Sequence, residues 1–177
     1  MPHIWYVAYG TNLSRQRFRY YVRGGQPDGL ERDYPGCGDK SDEIATFGLL
    51  ITGGLYFAGH SSVWRAGMAF YDANVAGEVA ARAYLITTEQ FVDVLAQETR
   101  QSPGMTLDLG PVFRGERYSN GVGGYPILVR VGERHGLPLV TFTRDRRSVS
   151  TLAAPSVLTR RPWQPACARP TGGHVRR

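Results

Sequence analysis

The sequence predicts an α+β domain: a mixed, mostly antiparallel sheet that curls on itself or closes into a small β-barrel, with a few helices packed on it. Three observations point there. Short runs rich in β-branched and aromatic residues recur from residue 3 to residue 143, most of them separated by glycine-containing turns. Two stretches, 14–23 and 88–98, carry apolar residues at helical spacing. The chain has no internal repeat, so a solenoid or propeller is excluded and short strands with segregated helices leave an α+β layer arrangement.

Residues 3–9, HIWYVAY, have the composition of a buried first strand. Gly10, Thr11 and Asn12 break it, and a helix over 14–23 follows, with Leu13, Arg17, Phe18 and Tyr21 on one stripe and Asn12 or Ser14 as its cap. Residues 24–43 are rich in Gly, Pro and Asp and read as a long surface loop; loops of that length in a domain are commonly functional or mobile. Strands are expected at 44–52, 55–58, 67–71 and 79–86, with Gly53-Gly54 as a hairpin turn between the first two. A second helix spans 88–98, opened by Thr87 with Gln90 three residues on, the pattern of a capping box. Beyond Pro103, strands are expected at 112–118, 125–131 and 138–143.

The 177 residues carry 21 Lys+Arg against 15 Asp+Glu, but the two signs are unevenly placed. Residues 1–154 hold all 15 acidic residues and 16 basic ones, whereas 155–177 hold five Arg and no acid. The chain therefore divides into a nearly neutral domain, 1–154, and a basic Pro/Arg-rich tail, 155–177, expected to be disordered or to be the product of a shifted reading frame. Charge gathered in a tail is not the basic groove that a nucleic-acid partner requires, and none is expected. No run approaches the roughly 18 apolar residues of a membrane span. The first residues lack the basic and apolar regions of a signal peptide, so a cytoplasmic protein with no membrane partner is expected. Cys37 and Cys167 stand alone, and His3, His60, His135 and His174 are scattered, so neither a disulfide framework nor a zinc site is expected. Cys37, on the long loop, reads as an idle thiol.

Two places can carry chemistry. On the 88–98 helix, at ~100° per residue, Phe91, Val94, Leu95 and Glu98 share one stripe while Glu89 and Asp93 lie opposite. Glu98 is thus a carboxylate on the core-facing side, at a helix C-terminus whose dipole disfavours negative charge. Both effects raise its pKa toward the range of a general acid/base; the bland alternative is a helix-end glutamate turned to solvent. The turn at 9–13 is the second place: its backbone N–H groups can hold a carboxylate or a developing oxyanion, although many strand-to-helix turns look the same.

Tyr9-Gly10-Thr11-Asn12-Leu13, standing after the first strand, resembles the Tyr-Gly-Ser-Asn-Leu signature of the γ-glutamyl cyclotransferase-like (AIG2-like) superfamily. Residues 83–91 leading to Leu95-Ala96-Gln97-Glu98 are similar to the downstream strand and helix that deliver that family's single glutamate, and 64–69 to the Gly-containing strand before it. Residues 125–129 and 139–143 resemble its later strands, so the likeness runs over about 4–145. Thr11 replaces the signature's serine, Thr99 the glycine that often follows the glutamate, and both the 24–43 loop and the tail depart from compact members.

The resemblance implies a cofactor-free and metal-free enzyme that cleaves a γ-glutamyl amide without water: the substrate's α-amino group attacks its own γ-carbonyl, giving 5-oxoproline and a free amine. Glu98 is then the catalytic acid/base, and Tyr9, Gly10, Thr11, Asn12, Leu13 and Tyr125 are the substrate-binding residues. The partner is a small γ-glutamyl compound whose leaving amine belongs to an amino acid, a polyamine or a protected metabolite. Two alternatives stay open: γ-glutamyl or acyl transfer to an external acceptor, and a non-catalytic binding module on the same fold.

Overall fold

A computed structural model describes residues 2–61, 66–115, 117–121, 123–149 and 151–153. The 155–177 tail and Trp64 and Arg65 of the resemblance lie outside the described residues. Strand β1 (His3–Ala8) leads through a 3-10 turn (Thr11–Leu13) into α1 (Arg15–Arg23). Strands β2 (Ala45–Thr52), β3 (Gly54–Ser61), β4 (Ala66–Asp72) and β5 (Glu78–Thr87) precede α2 (Thr88–Glu98). A short α3 (Gly110–Phe113), β6 (Tyr118–Ser119), β7 (Ile127–Arg134) and β8 (Leu137–Thr143) complete the order.

Six strands form one sheet in the order β2-β5-β1-β8-β7-β6, and β3 pairs with β4 in a separate ribbon. The β1–β8 pair is parallel and the others are antiparallel, so the expected mixed, mostly antiparallel α+β architecture is what the chain adopts. β1 lies in the middle, with Tyr6 opposite Tyr84 on one side and Val140 on the other. Its alternation explains why HIWYVA is apolar throughout. Ile4, Tyr6 and Ala8 enter the core under the helices with Phe18, Phe91 and Leu95, while Trp5, Val7 and Tyr9 enter a second core with Ile51, Tyr71 and Leu139.

Both main helices start where side-chain chemistry starts them. Ser14 caps α1 by accepting from the Arg17 N–H at 3.3 Å, which leaves the Asn12 side chain for other work. Thr87 and Gln90 form the full capping box of α2, each accepting at 3.1 Å from the other's backbone N–H. Asp93, placed opposite the apolar stripe, is buried all the same. The 24–43 segment and the segment after α2 close over it, Gly38 N–H and Gly104 N–H donating to its carboxylate at 2.8 and 2.7 Å.

Three expectations are corrected. The 24–43 segment is a packed strap: Tyr34 and Cys37 belong to the core, and Gln90 Nε2 donates to the carbonyls of Asp39 and Ser41. Gly53-Gly54 is not a hairpin turn, because β2 pairs with β5 and β3 with β4; the pair is the corner at which the chain leaves the large sheet for the ribbon. Gly53 holds φ 137°, and an added Cβ would stand 2.6 Å from Tyr71 Cε2; at Gly54 it would stand 2.4 Å from Val75 Cγ1. Residues 112–118 are not one strand. Pro111 in the first turn of α3 supports a helix start, since the N–H it lacks has no intrahelical acceptor there, and only Tyr118–Ser119 pairs with β7.

The Gly53 corner gives a direct stability test. Gly53→Ala must relax both the positive φ and the contact with Tyr71, and is expected to cost about 1–3 kcal/mol, read as a lower denaturant midpoint.

Candidate functional site

The 3-10 turn and the end of α2 meet above the carboxyl end of β1. Asn12, buried, donates from Nδ2 to Glu98 Oε1 at 3.0 Å, joining residues 86 apart in sequence. The same Nδ2 lies 3.4 Å from the Tyr6 hydroxyl, and the Asn12 carbonyl accepts from Tyr84 Oη at 2.6 Å. Asn12 Oδ1 is buried and has no hydrogen-bond partner among the described residues.

A cavity of about 130 Å³ opens over this pair. Tyr9, Gly10, Thr11, Asn12, Tyr125 and Glu98 all line it; Leu13 does not. The Leu13 N–H closes the 3-10 turn onto the Gly10 carbonyl at 3.0 Å, and its carbonyl accepts from Arg82 Nε at 2.8 Å. The donors that such a turn leaves without an internal acceptor are the N–H groups of its first residues, next to Gly10. Tyr9 Oη donates to the Phe142 carbonyl at 2.8 Å, which engages its proton in holding β1 to β8. Tyr125 packs its ring edge-on to Phe142 at 5.2 Å and against Phe70 at 5.1 Å, at the point where the ribbon meets the sheet.

Glu98 is half-buried, and desolvation raises its pKa above 4.5 despite hydrogen bonds from Tyr21 and Asn12 and the charges of Arg32 and Arg17, which pull it down. Tyr6, Tyr21 and Tyr125 are pushed well above the usual phenol range, first by burial and next by the charge of Glu98, so they stay protonated donors. Cys37 is buried, and burial together with Asp93 and Asp39 pushes its thiol up to about 12. A protonated, enclosed thiol is no nucleophile, in line with an idle role.

The cavity also holds residues that motif reasoning missed. Arg17 comes from α1, Arg32 and Tyr34 from the strap, and Arg100 from the turn after α2. Both Arg17 and Arg32 place their guanidinium carbons 4.5 Å from the centre of the Tyr34 ring. Arg17 also donates to the Tyr34 hydroxyl, and Arg32 to the Gln97 carbonyl. An arginine in the apolar stripe of α1 was the same kind of signal as Glu98 in the stripe of α2; Arg32 offered no such signal.

Thr99 does not take over the work of the glycine it replaces. It caps α2, its hydroxyl reaching the Leu95 and Ala96 carbonyls at 2.9 and 3.0 Å, and it keeps an ordinary φ of −97°. The left-handed residue is Arg100, at φ 60°. Arg100 N–H bonds to the Gln97 carbonyl at 3.2 Å and Gln101 N–H to the Ala96 carbonyl at 2.7 Å, a Schellman closure with arginine where glycine is usual.

Among the described residues no cluster of three His, Cys, Asp or Glu side chains is placed to hold a metal ion, and no helix is long and apolar enough to cross a membrane. No family model matches the chain. Its structure is similar to that of a solved γ-glutamyl cyclotransferase. The likeness covers 88% of this chain and 73% of that one, at 18% identity and a TM-score of 0.49. In sequence, the chain is 39% identical over 115 residues to histone deacetylase 5 of Arabidopsis thaliana. The match takes in 62% of this chain and spans 17% of that protein's length.

The raised pKa of Glu98 has a consequence for stability. A carboxyl that holds its proton more tightly folded than unfolded contributes stability that is complete below the unfolded pKa and lost as pH rises through the folded one. Glu98→Gln, always neutral, is expected to melt above the native chain at about pH 7, with the gap closing toward about pH 4; melts at both values check it.

Proposed function

We propose that the chain is a γ-glutamyl cyclotransferase-like enzyme, releasing 5-oxoproline and a free amine from a γ-glutamyl amide. The observation that carries this reading is the Asn12–Glu98 pair: a partly desolvated carboxylate with a raised pKa, hydrogen-bonded at 3.0 Å to an amide whose own oxygen has no partner. A carboxylate of raised pKa held at the cavity by an amide donor suits a primary ammonium, the group that must lose a proton before it can attack.

In this scheme Glu98 takes one proton from the substrate's α-ammonium. The freed nitrogen attacks the γ-carbonyl carbon, a five-membered ring closes, and the carbonyl electrons move onto oxygen. Glu98 passes that proton to the leaving nitrogen as its bond to carbon breaks and the carbonyl re-forms. The ionised Glu98 then takes the second proton of the ring nitrogen, and the departing amine carries it away as an ammonium. No water is consumed. Positioned proton transfer of this kind contributes about 10²–10⁴ in rate. The oxyanion or the substrate carboxylate is met by the N–H groups at the start of the 3-10 turn, where one donor is typically worth roughly 10²–10³. The Tyr125 phenol, held protonated, is a further donor to the same oxygen. Tyr9 acts as scaffold, its proton already given to Phe142. Folding the substrate back so that amine and carbonyl touch supplies the remaining acceleration by making the attack intramolecular.

A Glu98 turned to solvent would have favoured a binding module. Its contact with Asn12, inside the cavity, supports catalysis instead. Incubation with a panel of γ-glutamyl amides, read by mass spectrometry, is expected to release 5-oxoproline, with Glu98→Gln slower by about 10²–10⁴. The rate should climb with pH along an acid limb centred above 4.5, since the base must be ionised. A γ-glutamyl adduct of an added amine, with no 5-oxoproline, would instead establish transfer.

A further inference from the structure

The cavity over the Asn12–Glu98 pair holds about 130 Å³, close to the space that one benzene ring fills. A γ-glutamyl head group, with its carboxylate and ammonium, takes that space by itself. With the ammonium at Glu98 and the oxygens at the 3-10 turn, the leaving nitrogen faces the remaining wall. That wall belongs to the ribbon: His60 of β3 with Gly67, Met68 and Ala69 of β4. A second cavity, of about 400 Å³, lies against the same wall, and His60 and Met68 line both.

Among the described residues the floor of this second cavity is apolar. Ala58 and Phe70 line it and belong to a third buried cluster, against which Met68, Val149 and Tyr125 pack half-buried. Tyr125 carries the same apolar surface into the first cavity. The far wall is the segment after β8, held on β3 by the Ala153 N–H, which donates to the Phe57 carbonyl at 2.8 Å. On that wall Arg144 Nε donates to Ser148 Oγ at 3.3 Å. The junction of the two cavities is shaped by a bulge. β3 slips register against β4 between Ala58 and Ser61, with Gly59 at φ 64°, and a bulge of this kind re-aims the side chain that follows it, here His60. Gly59 also leaves room for Met68, whose Cε would stand 3.2 Å from an added Cβ. An unbranched thioether at such a junction adapts to what lies across it.

Resting on the reading of the preceding section, we propose that the second cavity receives the leaving amine and selects amines that carry a bulky apolar substituent, aromatic or branched. The selection comes from burial of that substituent against Phe70, Met68 and Val149. A polyamine would bring an ammonium onto the same apolar floor, at the cost of its hydration, and is disfavoured.

The test uses the full chain and three compounds: γ-glutamyl-phenethylamide, γ-glutamyl-ethylamide and γ-glutamyl-putrescine. The specificity constant for 5-oxoproline release is expected to be about tenfold or more higher for the phenethylamide than for either other compound, the gain from burying one phenyl ring. Val149→Trp fills the cavity and should bring the ratio of phenethylamide to ethylamide down to about one, chiefly through KM. The ratio compares two compounds on the same protein, so a partial loss of fold lowers both constants and leaves it unmoved. Where Val149→Trp does not fold, Val149→Asn, which sets an amide on the apolar floor, takes its place and should lower the ratio in the same direction. If no compound yields 5-oxoproline, the cyclotransferase reading fails, and calorimetric Kd values of the native chain and the variant for the same compounds decide the apolar selection alone. Tighter binding of the phenethylamide, weakened by the substitution, upholds it. Equal constants for phenethylamide and ethylamide, a preference for γ-glutamyl-putrescine, or a ratio unmoved by the substitution overturns it.

Discussion

The hydrogen bond between Asn12 and Glu98 is the constraint around which the site is organised. It ties the turn after the first strand to the last residue of α2, and each end is fixed by hydrogen bonds of its own. On the Asn12 side, Ser14 takes the capping of α1, and Tyr84 holds the Asn12 carbonyl. The amide is thereby left to face the carboxylate. On the Glu98 side, the helix is defined at its start by the Thr87–Gln90 box and at its end by Thr99 and the bonds of Arg100 and Gln101. Central β1 carries the turn, and Tyr6 stacks on Phe142 at 5.3 Å beneath it. A shift in either helix end would separate the two groups and leave a partly buried carboxylate without its amide donor.

The electrostatics of Glu98 show which effect wins when several compete. Arg17, Arg32, Asn12 and Tyr21 all favour its charged form, and desolvation alone opposes them, yet the net direction is upward. That balance suits the proton transfer of the proposed reaction. A carboxylate paired fully with arginine would be a poor base, and one without cations nearby would stay protonated at neutral pH. The strap supplies part of this balance. By folding over α2 it brings Arg32 and Tyr34 to the cavity and removes water from the helix face that carries Asp93.

What could be read from the chain depended on how local its cause was. The α2 helix, its capping box and the inward placement of Glu98 follow from residues within a few positions of one another, and all three are found. β1 was legible for the same reason. The Gly53-Gly54 corner was misread because two strands joined by glycines look like a hairpin, and only the distant β5 decides that β2 pairs elsewhere. The burial of Asp93 and Cys37 was hidden because both depend on a Gly- and Pro-rich strap packing over a helix more than 50 residues away. Arg100 escaped notice because the substitution at Thr99 drew attention to the wrong residue; which of the two turns left-handed is set by the closure geometry, not by composition.

Burial against the 3-10 turn raises the pKa of Glu98, and the proposed reaction depends on that shift. Its carboxyl carbon can be followed directly by NMR in chain labelled with 13C at glutamate Cδ, the resonance being assigned by its loss in Glu98→Gln. A titration midpoint above 4.5 is expected, moving higher still in Asn12→Ala, because the Asn12 amide stabilises the ionised form. A midpoint at or below 4.5, or one indifferent to Asn12, would contradict it.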